Sequence, residues 1–187
     1  MTATITSSAA HLVRELGSDQ TISTRQIDRI KYAHDASHFL YTPQVVAEAR
    51  NASDVAAAFR ASISSGAPVV LRAGGTSLSG QAGGGGMLID VRKHFRGVEV
   101  LDAGKRVRVQ PGSTVRQVNA HLAPYGRKLG PDPASEGAAT LGGVISNNSS
   151  GMACGTQYNT YNTLESLTFV LPSGTVIDTA HADAEAQ

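Results

Sequence analysis

Hydrophobic and polar segments alternate along the first half of the chain in a way that predicts a mixed α/β protein. An apolar run at residues 45–47 precedes a helical pattern over 54–64, and a second apolar run follows at 68–71. A strand, a helix and a second strand in close succession predict a compact βαβ unit. In such a unit the helix forms a right-handed crossover between two parallel strands.

The chain before this unit is patterned more weakly. Residues 1–10 are polar and predict a frayed start, whereas 11–16 and 25–33 each predict a short helix. The segment HDASHFLYTP (34–43) predicts an extended connector that ends at its proline. We therefore expect a helical extension over residues 1–40 and a larger domain over 41–187.

The second half of the chain predicts a small antiparallel sheet with flanking helices. Short apolar runs separated by turn residues predict three antiparallel strands at 87–91, 98–101 and 107–110. Helical patterns cover 114–122 and 141–145. The remaining prediction is a hairpin within residues 164–177, turning at Pro172–Gly174.

Composition and charge exclude several classes of function. With a formal net charge of +1 and no tryptophan, the 187 residues carry no basic patch that predicts nucleic-acid binding. No apolar run is long enough to span a membrane, and no export signal opens the chain. Cys154 is the single cysteine, so an internal disulfide and a multi-cysteine metal site are excluded. A reducing, cytoplasmic location is expected.

Glycine, with 20 residues, is enriched and clustered, and the main cluster follows the 68–71 strand. The loop over 73–86 carries little side-chain bulk, so its amides can converge on an anion such as phosphate. Residues 75–80 have P-loop spacing, but Gln81 stands where a P-loop has lysine, which disfavours a nucleotide hydrolase. No Rossmann fingerprint is present either. An elaborate hairpin loop remains the structural alternative.

A second small-residue cluster lies downstream, at 131–135 and 140–151. Gly142 and Gly143 permit the close approach of a flat ligand, and the following asparagines and serines supply uncharged donors and acceptors. A helix-packing site beside a polar loop is the alternative explanation. Two such clusters in one short chain favour opposite sides of one long cofactor.

Four segments carry a resemblance to a known family: PVVLRAGGTSLSG (68–80), VQPGSTVRQVN (109–119), GPDPASEGAATLGGVISNNSSG (130–151) and ACGTQYNTYNTLESLTFVLPSG (153–174). With these motifs in this order, residues 41–179 resemble the PCMH-type FAD-binding domain of the vanillyl-alcohol-oxidase flavoenzymes. The D-lactate dehydrogenase and glycolate oxidase branch is the most similar. The resemblance implies an α+β fold, in which a small βαβ subdomain joins a mixed or antiparallel sheet subdomain with flanking helices.

The resemblance also implies an FAD site. The residues expected to bind the pyrophosphate through backbone amides are Ala73, Gly74, Gly75, Thr76, Ser77 and Leu78, with Gly80 closing the loop. Those expected near the adenine are Pro111, Gly112 and either Val176 or Ile177. Those expected along the ribityl chain and isoalloxazine are Pro133, Ala134, Ser135, Thr140, Gly142, Gly143, Asn147, Ser150 and Gly151. Because Thr76 occupies the position of the histidine tether of some family members, non-covalent FAD is expected.

By the same resemblance, the chain is expected to take part in oxidising a 2-hydroxy acid such as D-lactate or glycolate. Hydride would pass from the substrate α-carbon to flavin N5, and the electrons would go to an acceptor other than NAD. A stand-alone flavin-binding module or subunit and an NADPH-dependent sugar-nucleotide reductase are alternatives. The discriminating reductants are D-lactate and NADPH.

In the family, the FAD domain continues and a substrate or cap domain supplies most catalytic side chains. We therefore expect an N-terminal fragment, and no residue of this chain is assigned a catalytic role. The hairpin at 164–177 would then have an unpaired edge. Weak FAD binding and a tendency to aggregate are expected of the isolated chain.

Several polar residues outside these motifs allow two interpretations. His34, Asp35, His38 and Tyr41 match no metal-ligand spacing, so turn formation is favoured over a metal site or an acid–base pair. The isolated residues His94 and His121 are assigned no function. Cys154 is interpreted as a small buried residue rather than a reactive thiol. Arg72 fits a phosphate contact and a strand-end salt bridge equally well.

Overall fold

The contacts within the chain divide it into two units, and the glycine loop is shared between them. The computed structural model describes residues 7–16, 21–182 and 184. The first unit comprises Met1–Arg72, Ser77–Val91 and Glu165–Gln187, and the second comprises Ala73–Thr76 and Arg92–Leu164. The predicted FAD-site residues are thus divided between the two units.

A four-stranded sheet forms the centre of the first unit. Its strands, in chain order, are β1 (Thr21–Ser23), β2 (Val45–Glu48), β3 (Val69–Arg72) and β4 (Met87–Asp90). The order across the sheet is β1-β2-β4-β3. β4 is parallel to both neighbours, whereas β1 is antiparallel to β2. The parallel orientation predicted for β2 and β3 is therefore confirmed, with β4 lying between them.

The prediction that residues 87–91 start an antiparallel sheet is wrong. Every residue of β4 is buried, as expected for the central strand of a parallel sheet. Met87 aligns with both Val45 and Val69, so β4 begins level with its neighbours. The long glycine loop after β3 allows this, because it returns the chain to the edge where β3 began.

Three helices belong to the first unit: α1 (Ser7–Leu16), α2 (Gln26–Lys31) and α3 (Ala52–Ser65). α3 contacts α1, β3 and β4. The Asn51 side chain accepts a hydrogen bond from the Asp54 amide at 2.9 Å and caps its start, and Gly66 ends it in a left-handed conformation. Residues 1–6 lie outside the described residues, but the frayed start is wrong for 7–10. Burial of Leu12 and Leu16, one helical turn apart, explains the helix there.

The connector after α2 bends rather than extending. His34 forms an antiparallel bridge with Leu40. Asp35 Oδ1 accepts a hydrogen bond from the Ser37 amide at 2.8 Å, the pattern of an Asx turn. The extended connector predicted from the sequence is therefore wrong, because this aspartate caps a local turn.

The second unit follows its predicted elements closely. β5 (Val98–Leu101) and β6 (Arg106–Val109) pair antiparallel, and α4 (Val115–Leu122), α5 (Leu141–Ser146) and α6 (Thr160–Thr163) accompany them. α4 starts with a capping box between Thr114 and Gln117. The buried core between α4, α5 and the β5–β6 pair consists of Val115, Val118, Leu122, Ala139, Leu141 and Val144. α6 was not predicted.

The predicted hairpin is confirmed and belongs to the first unit. Its strands are β7 (Thr168–Val170) and β8 (Val176–Asp178), which pair antiparallel as a two-stranded sheet. In the part of the chain that the structure describes, no helix has the length and apolarity needed to cross a membrane.

Candidate functional site

In the second unit, the glycine loop is attached to the segment that leads into α5. The Gly74 amide donates a hydrogen bond to Thr140 Oγ1 at 3.1 Å. A Cβ atom at residue 74 would lie 2.3 Å from the carbonyl oxygen of Ala138, so only glycine fits there. Gly75 follows with φ of +69°, the left-handed region that glycine adopts readily, and turns the chain.

The amides after this turn are free to bind a ligand. Within the described ranges, the Gly75 and Thr76 amides donate to no protein acceptor, and both residues are half-buried. The next two amides, those of Ser77 and Leu78, belong to the first unit and are likewise unoccupied. Within the second unit, the unoccupied amides of Gly75 and Thr76 beside the glycine turn are donors of the kind that binds phosphate.

The two glycines of α5 differ in what surrounds them. The Gly142 amide donates to the Pro111 carbonyl at 3.0 Å, and a Cβ atom at 142 would lie 2.8 Å from Pro111 Cβ. Gly143, by contrast, is exposed and has open space where a Cβ atom would be. Gly112 donates its amide to the Phe95 carbonyl at 2.8 Å. Pro111, Gly112 and Gly142 are therefore packed together, whereas Gly143 offers a bare surface.

The remaining predicted residues of the second unit lie in turns. The Pro133 and Ser135 carbonyls accept amide hydrogen bonds within the 133–139 turns, and Ala134 is exposed. The Asn147 amide donates to the Gly143 carbonyl at 3.0 Å and ends α5. Ser150 is exposed just beyond α5. These residues present small side chains and backbone at the surface.

Asp132 supports the end of this segment, a role that the sequence did not reveal. Its carboxylate accepts hydrogen bonds from the Ala153 amide at 3.1 Å and the Cys154 amide at 3.2 Å. A Cβ atom at Gly151 would lie 2.0 Å from Asp132 Oδ1, so Gly151 allows this approach. The only sequence signal was an aspartate between two prolines.

Cys154 is buried, as predicted. Its thiol lies 3.2 Å from the Gly155 carbonyl and 3.6 Å from the Gly151 carbonyl. The interpretation as a small buried residue is confirmed.

In the first unit, the rest of the glycine loop is held by the connector. Gly80 has φ of +80°, and a Cβ atom there would lie 2.6 Å from Phe39 Cδ2. Phe39 stacks on Tyr41 with ring centroids 5.7 Å apart. Ser77 donates its hydroxyl to Gln81 Oε1 and accepts the Ser79 amide at 3.1 Å. No local sequence signal linked Phe39 to the loop.

Two predicted residues of the first unit stand apart from these contacts. Leu78 is 78% exposed, so its side chain lies in solvent. Ile177 is buried in β8, opposite Phe169, in a different sheet from the β3 strand that leads into the loop. Val176, the other residue expected near the adenine, is exposed on the same strand.

Arg72 joins the glycine loop to the connector. Its Nη1 donates to the Ala82 carbonyl at 3.0 Å and its Nη2 donates to the His34 carbonyl at 2.5 Å. The side chain is buried, and the guanidinium lies 6.0 Å from the centroid of the Tyr32 ring. Both terminal nitrogens are thus used inside the protein, which favours a structural role over a phosphate contact.

Asp35 completes this polar cluster. Burial alone would raise its pKa, but hydrogen bonds from Ser37 and from the Ala82 backbone, with the positive charge of Arg72, outweigh burial and lower the pKa. A carboxylate held ionised in this way stabilises the fold and is poorly suited to proton transfer near neutral pH. The structure thus supports the turn-forming interpretation of Asp35.

Known proteins resemble the chain in sequence. A family model described as FAD binding domain matches residues 43–180. A D-2-hydroxyglutarate dehydrogenase from Pantoea ananatis is 32% identical over 162 residues, which are 84% of this chain and 16% of that protein. The glycolate oxidase subunit GlcD from Escherichia coli is 35% identical over 89 residues, which are 46% of this chain and 18% of that one. The chain therefore spans less than a fifth of either relative.

A solved structure resembles the fold. The glucooligosaccharide oxidase from Acremonium strictum superposes with a TM-score of 0.75 at 23% identity, covering 92% of this chain and 36% of that chain. That oxidase carries a 6-S-cysteinyl, 8α-N1-histidyl FAD. The likeness confirms the predicted PCMH-type α+β fold.

The residues present fit an FAD pyrophosphate. Free amides follow the Gly75 turn, and no bulky side chain of the loop's second-unit part, Ala73–Thr76, covers them. A dinucleotide's pyrophosphate is the kind of anion that such amides bind. Because the FAD binding domain model matches residues 43–180 and the loop inside that range presents its amides in this way, the chain belongs to the family of PCMH-type FAD-binding domains.

Proposed function

We propose that this chain binds FAD non-covalently and serves as the FAD-binding part of an oxidoreductase that acts on 2-hydroxy acids. The observation that carries the proposal is the pair of unoccupied amides of Gly75 and Thr76, inside the segment that matches the FAD binding domain. These amides would hold the pyrophosphate, and Gly75 would give them their direction through its positive φ.

The small-residue surface of α5 and its flanks would hold the flavin half of the cofactor. Exposed Gly143 leaves room for a flat ring, and exposed Asn147 and Ser150 offer polar groups at its rim. Bound FAD supplies a two-electron acceptor that the side chains of this chain do not provide. The protein's part is to bind the cofactor, orient it and exclude water from it.

Non-covalent attachment is supported by the residues beside the loop. Thr76 follows the glycine pair, and a threonine hydroxyl is not a group that forms a flavin tether in the way a histidine ring does. The Cys154 thiol is buried against backbone carbonyls, so it does not offer a second tether. Acid treatment should therefore release the flavin intact.

The substrate class is supported by the relatives. Their names, D-2-hydroxyglutarate dehydrogenase and glycolate oxidase subunit, share a 2-hydroxy acid as the reductant. Such a substrate loses two electrons and two protons and becomes a 2-oxo acid. D-2-Hydroxyglutarate, D-lactate and glycolate are therefore the candidates. The electron acceptor stays unassigned, a cytoplasmic location stays a prediction, and no catalytic residue is proposed in this chain.

Anaerobic reduction of the FAD-loaded full-length protein, which includes the substrate domain that the resemblance implies, tests the proposal. We expect the visible flavin band to bleach with D-2-hydroxyglutarate, D-lactate or glycolate, and to stay unchanged with NADPH. Bleaching by NADPH alone would favour a sugar-nucleotide reductase. Bound FAD that no hydroxy acid reduces would favour a flavin-binding module that works with a separate catalytic chain.

A further inference from the structure

We propose that Thr140 is the positioning residue of the glycine loop, and that it acts through its hydroxyl on the amide of Gly74. The inference rests on the proposed function, because it assumes that the loop binds the pyrophosphate. It assigns Thr140 a role different from the one that the resemblance implied, which was to line the flavin.

Thr140 is well suited to hold another segment in place. Its side chain is 3% exposed, and Oγ1 accepts the Gly74 amide at 3.1 Å. Its backbone is fixed from both sides, because it bridges Thr114 and its carbonyl accepts the Val144 amide at 3.0 Å. The next residue, Leu141, donates its amide to the Ser113 carbonyl at 2.9 Å. The hydroxyl therefore projects from a rigid support.

Gly74 is held at two points against this support. Its amide is bonded to Thr140, and the carbonyl of Ala138 occupies the place where a side chain would be. Because its N–H is already used, Gly74 has no donor left for an anion. Its position instead fixes where Gly75 turns the chain, and so where the free amides of Gly75 and Thr76 lie.

The consequence for binding is energetic. If the Thr140 hydroxyl is lost, the Gly74 amide loses its acceptor and the loop gains conformations in which the later amides do not converge. FAD would then have to order the loop on binding, which reduces affinity without changing any group that touches the cofactor. Loss of one such hydrogen bond predicts about a tenfold weaker affinity.

Two substitutions separate the hydroxyl from the shape of the side chain. Thr140→Val keeps the shape and removes the acceptor, whereas Thr140→Ser keeps the acceptor. We expect Thr140→Val to bind FAD and ADP about tenfold more weakly than the wild-type protein, measured by flavin fluorescence and by competition. Thr140→Ser should stay within about threefold of the wild-type affinity, a shift below the size expected for a lost hydrogen bond.

The visible spectrum of bound FAD distinguishes the proposed role of Thr140 from a role in lining the flavin. In Thr140→Val the spectrum at saturation should match the wild-type spectrum, because the altered contact lies at the pyrophosphate loop. A shifted flavin spectrum would place Thr140 at the isoalloxazine and would overturn the inference. So would an unchanged FAD affinity in Thr140→Val, or an equal loss in Thr140→Ser.

Hydrogen exchange of the Gly74 amide tests the contact without a cofactor. In Thr140→Val the Gly74 amide should exchange about tenfold faster than in the wild-type protein, whereas in Thr140→Ser it should stay protected. Equal exchange rates in the two variants would contradict the inference. If Thr140→Val does not fold, Thr140→Ala replaces it in the same comparison. If the wild-type protein and the Thr140 variants bind FAD with equal affinity, only the inference is refuted. Wild-type protein that binds no FAD would refute the proposed function and the inference that rests on it.

Discussion

The glycine residues of the two predicted binding segments have different structural roles. Gly74 and Gly142 are glycines because another backbone or a proline occupies the place of a side chain. Gly75 is a glycine that turns the chain, and Gly143 has open space around it. The sequence predicted both pairs as ligand contacts, because a glycine carries no side chain that would reveal its neighbours.

Substituting the two glycines of α5 separates packing from cofactor contact. Gly142→Ala places a methyl group 2.8 Å from Pro111 Cβ, so we expect a loss of about 1–3 kcal/mol in the free energy of unfolding. Gly143→Ala meets nothing and should leave that free energy equal or slightly higher. If the flavin lies over Gly143, however, this variant should bind FAD more weakly. Chemical denaturation and FAD titration of both variants provide the measurement.

A different result would place the flavin elsewhere. Gly143→Ala with wild-type FAD affinity would contradict the proposed position of the flavin beside α5. Equal destabilisation by the two substitutions would contradict the packing difference.

Asp35 predicts a pH dependence of stability. Its pKa in the folded protein is lower than the ordinary value of 3.8, so the folded state binds fewer protons than the unfolded state near that pH. The stability it contributes is complete above the unfolded pKa and is lost as pH falls through the folded pKa. Asp35→Asn lacks this contribution, so its deficit in unfolding free energy should shrink between pH 6 and pH 3. Urea titrations at both values measure it, and a deficit that stays constant would refute the assignment.

At the scale of elements, the sequence predicted the positions of helices but not the order in which the strands pair. The helices predicted at 54–64 and 114–122 are confirmed as α3 and α4, and the structure places their caps at Asn51 and Thr114, at or near the predicted starts. The place of β4 between β2 and β3 was missed, because strand order depends on contacts between segments far apart in sequence. β1 was missed because three residues carry too little pattern.

The contacts of Arg72 make the loop and the connector depend on one side chain. Arg72→Lys keeps the charge, but a single ammonium group cannot replace the two guanidinium nitrogens that donate to the Ala82 and His34 carbonyls. We therefore expect a loss of about 1–3 kcal/mol in the free energy of unfolding. Arg108→Lys is the matched control, since Arg108 is exposed and lies 3.5 Å from Glu99. That variant should stay within about 0.5 kcal/mol of the wild-type protein. Equal effects in urea denaturation would contradict the bridging role.

At the scale of the molecule, the order of motifs predicted the family better than any single motif. The glycine loop alone fitted an anion site or a hairpin, and the downstream cluster alone fitted a packing site. Together they predicted the FAD-binding fold that the family match confirms. The contacts of Phe39 and Asp132 were not predictable, because each joins segments that lie far apart in the sequence.

The β7–β8 hairpin predicts association at high protein concentration. Among the described residues its two strands pair only with each other, and Val176 is exposed on β8. Val176→Lys should reduce concentration-dependent association in sedimentation experiments, because a charged side chain on an edge strand opposes further pairing. Wild-type protein that stays monomeric at every concentration would contradict this prediction.

Titration of purified protein with FAD, followed by acid precipitation, tests whether this chain binds FAD and whether the attachment is non-covalent. We expect saturation at one FAD per chain and release of all the flavin into the supernatant, because the proposed site around Gly75 offers hydrogen bonds and no covalent tether. Protein that binds no FAD at any concentration would contradict the claim. Flavin that stays with the precipitated protein would contradict non-covalent attachment.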